Sequence, residues 1–371
     1  MNKMSGIIFS NIYDDSLGEL TAKRTVASLP FGGRYRQIDY VLSNMVNSGI
    51  ISVGVITKYN YESLMDHLGS SEAWDLNRKN GGLFIIPPFA FGKSEVYRGK
   101  LDALYTALNF LNSQKSEYIV LSDTITICNI NYQEVLAEHI ASDKDITIVV
   151  STQKEDEQNH NIVVESNIDC SAKKININCE AKIGSFVGLG MFVMKREALI
   201  KVVKECVEAG HYHFEKDFLQ KYFNENRLSV NLYEFEGVVF RNRNIEAYLK
   251  NNIKLIDEEI HKELYKSSAP IYTKVRDEIP TYYGNDSAVD KCIIADGCKI
   301  YGKLKNSVIF RDVTIEEGAQ VISSIVMQGT KIKQGAFIEN AIIDKNVTIT
   351  ENTWLSGALK CPVIVKKGEI I

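Results

Sequence analysis

From Val289 to Ile349 apolar residues recur at six-residue steps, a spacing that few folds accommodate. One series runs Ile309, Ile315, Val321, Met327; a second Val326, Ile332, Ile338; a third Ile343, Ile349. Small or turn-forming residues fall between them, including Gly297, Gly302, Gly318, Gly329 and Gly335. Such a repeat is the signature of a β-helix, in which each coil buries its side chains against the next. A run of ordinary hairpins is the competing reading, and polar residues at steps such as Asn306 and Lys331 leave the repeat imperfect.

Upstream the texture differs. Gly6–Ser10, Ile51–Thr57, Tyr118–Ser122 and Ile146–Ser151 read as short buried strands. Between them Tyr61–Leu68, Leu101–Leu111 and Tyr132–Ile140 have helical spacing. Strand–helix alternation predicts a mostly parallel sheet with helices on both faces, and ligands at the carboxyl ends of its strands. The loops after Ser10, Ser122 and Phe240 are therefore where chemistry is expected. Ile245–Ile256 reads as the last helix of this part, and Lys266–Asp286 as an extended crossing segment. The expected division is residues 1–256, a linker at 257–286, and coils at 287–371.

A chain of 371 residues has ample length for one large domain and a smaller one. A net charge of -4 argues against a nucleic-acid partner, which calls for a basic surface. No apolar run approaches membrane length, and Met1–Ser10 lacks the apolar core of a signal peptide. The seven cysteines form no C-x-x-C pair, so free thiols in a reducing cytoplasm are expected.

The most informative stretch is Thr21–Ile50, TAKRTVASLPFGGRYRQIDYVLSNMVNSGI. Lys23 and Arg24 lead into a loop stiffened by Pro30, and Phe31-Gly32-Gly33 permits a sharp turn. Arg34 and Arg36 follow at the start of a helix whose apolar face carries Ile38, Val41, Leu42, Met45 and Val46. Cations and free N–H groups at a helix start attract phosphate.

This stretch resembles the ADP-glucose pyrophosphorylases (glucose-1-phosphate adenylyltransferases), whose segment reads approximately KRAKPA-FGG-[KR]-[YF]-R-IDF-LSN–NSGI. The match at Phe31–Gly33, Arg36, Ile38-Asp39, Leu42–Asn44 and Asn47–Ile50 is long and specific, and the resemblance covers nearly the whole chain. It implies an α/β architecture: a Rossmann-like nucleotidyltransferase domain followed by a C-terminal left-handed parallel β-helix. It also implies a reaction, ATP and glucose 1-phosphate giving ADP-glucose and pyrophosphate, with Mg²⁺ held by two aspartates.

Phosphoryl transfer needs positioned cations more than covalent help, and here the resemblance breaks. The family's first loop resembles L-A-G-G-x-G-T-R-L, against Phe9–Leu17 in this chain. Asn11, Ile12 and Asp14 replace its glycines, and Ser16 stands at the catalytic arginine. Asp14 and Asp15 add negative charge where polyphosphate would lie. Val26 stands at the lysine of the KRAKP segment. Asp123 matches the first metal-binding aspartate, but Asn242 occupies the second, within Phe240–Tyr248, and a neutral amide is a weak magnesium ligand. The sugar-phosphate motif E-K-P is not recognisable between Val163 and Gly190. Tyr97–Ala103 (YRGKLDA) resembles Y-R-G-T-A-D-A and keeps Arg98, Gly99 and Asp102 as remnants of a substrate pocket. His213–Phe218 (HFEKDF) resembles D-F-G-K-D and keeps Asp217. For Asp102 and Asp217 the favoured reading is as supports of the architecture. One lost transition-state donor costs about 2.7–4 kcal/mol, so several together predict a chain impaired in catalysis.

Other cations survive. In the resembled family, the residues matching Lys23, Arg24 and Arg36 contribute to a pocket for a sugar-bisphosphate activator; a histidine found there in some relatives is Pro30 here. A solvated face or a subunit contact is the competing reading of this cluster. Lost catalysis with retained effector cations is the profile of the regulatory D-type branch of the family. It implies a catalytic partner subunit in a heterotetramer, a sugar-phosphate effector, Mg²⁺ held weakly if at all at Asp123, and neither a nucleic-acid nor a membrane partner. The alternatives are an active adenylyltransferase with a rearranged loop and a sugar-nucleotide-binding protein without catalysis. A β-helix acyltransferase is disfavoured, because the last histidine, His261, precedes the coils.

Overall fold

A computed structural model describes residues 3–11, 14–88, 97–152, 160–167 and 171–371, apart from the side chains of Asp14, Asp15 and His160. Ile12 and Tyr13, and the side chains of the two acidic residues expected in the first loop, thus lie outside the described residues.

The sheet is built from Met4–Phe9 (β1), Ser52–Ile56 (β2), Gly82–Ile86 (β3), Tyr118–Asp123 (β4), Ile146–Ser151 (β5), His160–Ser166 (β6), Ala172–Cys179 (β7), Phe186–Lys195 (β8) and Val230–Glu234 (β9). Its main order is β7-β6-β8-β4-β1-β2-β3, with β5 pairing both β8 and β9. The centre, β4-β1-β2-β3, is parallel, and β1, β2 and β4 are buried along their whole length. Strands buried on both faces read as continuous apolar runs, which is how they show in the sequence. Two apolar clusters cover the faces. One is centred on Ile7, Leu121 and Phe192, the other on Ile8, Val53 and Val120. Strand β8 runs antiparallel to β4, so the sheet has a parallel heart and an antiparallel wing.

Helix Gln37–Asn47 lies where the apolar spacing placed it. Its start is fixed by Asp39, whose Oδ2 accepts the Arg36 backbone N–H at 2.9 Å. The Pro30–Phe31 and Tyr35–Arg36 segments pair as a small hairpin across Gly32 and Gly33, both at positive φ. A Cβ on Gly33 would come 3.0 Å from Cγ2 of Ile293 in the coils, so a close approach as well as the turn requires glycine there. After helix Ile245–Lys254 the chain forms one more helix, Glu258–Leu264, inside the stretch read as linker.

From Tyr282 the chain winds into three five-stranded, wholly parallel sheets, a β-helix and not a set of hairpins. Ile315 pairs with Ile332 and Ile332 with Ile349, an advance of 17 residues per coil. Strict six-residue steps on three faces would give eighteen, so one corner of each of these two coils is a residue short. The inward series is Ile309, Ile315, Val321, Val326, Ile332, Ile338, Ile343, Ile349. Met327, expected inside as the sixth residue after Val321, instead packs outward in the cluster joining the two domains. Asn306, a polar residue at an expected apolar step, is a corner in the left-handed conformation, stacked with Ser323 and Asn340 at φ 48, 47 and 48. Left-handed backbone disfavours most residues but is tolerated by Asn.

The domains meet through a shared apolar core in which Leu17, Phe31, Tyr40 and Tyr248 pack with Phe310, Ile325, Met327 and Ile342. Beside it, the buried Arg24 guanidinium pairs with the buried Asp344 carboxylate of the coils.

Candidate functional site

The cleft at the carboxyl ends of β1 and β4 is where alternation of strands and helices put the chemistry. Asn11 closes the exit of β1: its amide donates to the Tyr59 carbonyl at 3.1 Å and its Oδ1 accepts the Lys58 N–H at 3.1 Å. A bare glycine backbone is thereby exchanged for a side chain tied to the exit of β2. Ser16 is exposed in the 3₁₀ segment Asp14–Leu20. Val26, at the position expected to hold a lysine, is 1% exposed and belongs to the apolar core between the domains.

Asp123 is the last residue of β4 and is buried, facing Gly190 of β8. A Cβ on Gly190 would fall 2.4 Å from its Oδ2, so that contact demands glycine. The carboxylate receives the Nζ of Lys100, 2.8 Å from Oδ1 and 3.0 Å from Oδ2. The same ammonium also bonds Oε1 of Glu215. Lys100, Asp123 and Glu215 are all buried, so the three form an internal ionic cluster. Burial pushes the Asp123 carboxyl above its ordinary range, with Lys100 pulling it down and Glu215 pushing it up.

Asn242, at the second metal position, is buried. Its N–H donates to the Ile125 carbonyl at 2.9 Å and its Oδ1 accepts from Asn251 at 3.0 Å. Among the described residues no group of three His, Cys, Asp or Glu could hold a metal. A divalent ion at Asp123 would share it with a fixed ammonium. At about 4 Å their repulsion is on the order of 8 kcal/mol at an effective dielectric of 20, twice the value for unit charges. Mg²⁺ does not fit these residues.

The remnants expected of a substrate pocket serve local structure. Asp102 accepts from the Arg98 N–H at 3.2 Å, and the Arg98 guanidinium stacks 3.5 Å from the Tyr212 ring centre. Gly99 lets the Tyr212 carbonyl approach, where a Cβ would stand 2.2 Å away. Asp217 accepts the backbone N–H groups of Tyr212 and His213, each at 2.9 Å.

A second site lies where the Pro30–Arg36 hairpin, the crossing segment and the coils converge. Arg34, Arg36, Lys274, Arg276, Arg311 and Lys345 line one pocket, with His67 and Gln328. Of the three cations expected there, only Arg36 lines it. Lys23 is exposed elsewhere, and Arg24 is turned into the strut with Asp344. Arg36 donates to the Ser63 carbonyl at 2.6 Å; burial and its cationic neighbours lower its guanidinium to about 10. Lys345 is lowered to about 7, first by burial and then by Arg36 and Arg24. Arg311 is 6% exposed, and among the described residues its Nε and Nη2 have no hydrogen-bond partner, with Asp296 3.9 Å away. So many cations in one pocket, one of them with unspent donors, make it strongly electropositive. Lys274, Arg276, Arg311 and Lys345 escaped sequence reasoning because they come from the crossing segment and coils, where only apolar spacing had been read.

Comparison with known proteins agrees with this architecture. A nucleotidyl transferase family profile matches residues 15–237, and a GlmU-like C-terminal hexapeptide profile matches 279–357. The chain is similar to the "Glycogen biosynthesis protein GlgD" of Geobacillus stearothermophilus, 35% identical over 370 residues, covering 100% of this chain and 97% of that one. It is also similar to the protein of that name from Bacillus subtilis (strain 168), 33% identical over 99% of this chain and 96% of that one. A "Glucose-1-phosphate adenylyltransferase" of Bacillus mycoides (strain KBAB4) is 31% identical over 85% of this chain and 84% of its own length. The chain belongs to the nucleotidyl transferase family, as a GlgD-type member of the ADP-glucose pyrophosphorylases of glycogen biosynthesis.

Proposed function

We propose that this chain is a regulatory, catalytically impaired subunit of a cytoplasmic ADP-glucose pyrophosphorylase, raising the output of a catalytic partner in a hetero-oligomer. The observation that carries the reading is the six-cation pocket at the junction of the two domains. It is built from both halves of the chain, so an anion bound there ties the hairpin to the coils and alters the surface that a partner meets. The cleft supports the same reading, since Ser16, Val26 and Asn242 remove positive charge or metal affinity and Asp123 is engaged by Lys100. The ligand that suits the pocket is a sugar bisphosphate, whose two phosphates match the spread of guanidinium groups.

The test is a rate measurement on mixtures. Added to a catalytic subunit, this chain lowers the concentration of fructose 1,6-bisphosphate needed for half-maximal ADP-glucose formation, and an Arg36→Ala/Arg311→Ala variant does not. A mixture no faster and no more responsive than the catalytic subunit alone overturns the proposal.

A further inference from the structure

The cluster at the end of β4 has a property that goes beyond lost activity. Lys100 and Glu215 both stand where the resembled motifs, Y-R-G-T-A-D-A and D-F-G-K-D, carry Thr and Gly. These two departures lie 115 positions apart in sequence, yet they meet as a buried ion pair on opposite sides of the cleft floor. Neither is intelligible alone. With Arg243 also acting on Asp123, a lysine there without Glu215 would set two cations against one carboxylate, and Glu215 without the lysine would set two carboxylates together with no cation between them.

From this we infer that Lys100 is a covalently attached substitute for the divalent cation: its ammonium occupies the position between Asp123 and Glu215, so this cleft is assembled without a metal and excludes one. Three features of the cleft support it. The ammonium touches both Asp123 oxygens, as a bound ion would. Lys100 starts the helix Lys100–Thr106 and is 5% exposed, held by Gly99 against the Tyr212 carbonyl, so its stem is fixed and not a mobile surface arm. Arg243 adds a second positive charge close enough to act on Asp123, and further opposes an incoming cation. The charges of the four groups balance, which makes the cluster self-sufficient. The inference concerns the isolated chain and stands whether or not the chain regulates a partner.

Removing the ammonium should uncover what it covers. In Lys100→Thr, Asp123 and Glu215 face each other with room between them, a pair of hard oxygen donors that suits Mg²⁺ or Mn²⁺. The probe is Mn²⁺, followed by the electron paramagnetic resonance signal of the free ion, with purified full-length chain and without substrates. The wild type is expected to bind none at this cleft, so that Asp123→Asn leaves its Mn²⁺ titration unchanged. Lys100→Thr is expected to take up about one Mn²⁺ per chain at least tenfold more tightly than wild type, to be stabilised against heat by that ion, and to lose both effects in Lys100→Thr/Asp123→Asn. Binding to the wild type that Asp123→Asn abolishes overturns the inference, as does a folded Lys100→Thr that binds no ion. Should Lys100→Thr not accumulate as folded protein, the wild-type titration with its Asp123→Asn control decides alone. None of these outcomes bears on fructose 1,6-bisphosphate or on the mixed assay, so failure here leaves the regulatory reading standing.

Discussion

At the scale of single residues, the chain handles buried charge in two opposite ways. In the cleft the buried Lys100 ammonium is held by two carboxylates, whereas the pocket between the domains gathers six cations with only loose acidic neighbours such as Asp66 and Asp296, 3.8 and 3.9 Å from Lys274 and Arg311. Arg24 belongs to the first kind. Cutting it to alanine leaves Asp344 buried without a counter-charge, and should lower stability by about 3–5 kcal/mol, read from the urea midpoint. Arg24→Met/Asp344→Leu, which removes both charges, should recover most of the loss. Lys345 belongs to the second kind. Its ammonium is free to lose its proton near pH 7 in the folded chain, whereas the unfolded lysine holds one to about 10.5. Unfolding therefore takes up a proton between these values, so this group makes stability rise with pH across that window and fall as pH drops toward 7. Lys345→Met should flatten that slope in urea titrations between pH 7 and 10. Polyanion binding has the opposite sign: it should strengthen as pH falls through about 7 and Lys345 becomes charged, and the variant should lose that dependence in calorimetry. The sequence pointed to Asp123, Asn242 and Arg36 because motif strings mark them. It could not disclose the Lys100–Glu215 pair, because a distance across 115 positions is not written in either motif.

At the scale of elements, the hairpin Pro30–Arg36 matters most, since it hands Arg34 and Arg36 to the pocket while packing its turn on the coils. Gly33→Ala should cost about 1–3 kcal/mol through a strained positive φ, and should weaken anion binding by displacing both arginines. Calorimetry with fructose 1,6-bisphosphate separates this from a global loss of fold, which circular dichroism reports. Strand and helix existence was legible upstream because buried parallel strands and amphipathic helices leave different periodicities. The coils were legible as a repeat but not in phase. The advance of 17 residues in the central coils divides unequally among three faces, so a strict step of six drifts out of register after two faces and misplaces Met327. The extra helix Glu258–Leu264 was hidden by its length of seven residues, too short for a clear apolar stripe.

At the scale of the whole molecule, the chain is two domains sharing an apolar core and one buried ion pair, with a cation-lined pocket beside that junction. On the regulatory reading proposed here, an anion in that pocket would be coupled to the relative placement of the domains, because the pocket exists only when both halves are together. The order of domains was readable from the change of texture after Asp286, but their mode of contact depends on outward-facing residues such as Met327 and Phe310 that no periodicity assigns to a partner. The central claim is that the cleft has exchanged catalytic charge for internal neutrality. Its most direct test is the steady-state release of pyrophosphate by the purified chain alone, given ATP, glucose 1-phosphate and Mg²⁺. The account predicts a rate at least roughly a thousandfold below that of a catalytic subunit under the same conditions; a rate within tenfold of that subunit contradicts it.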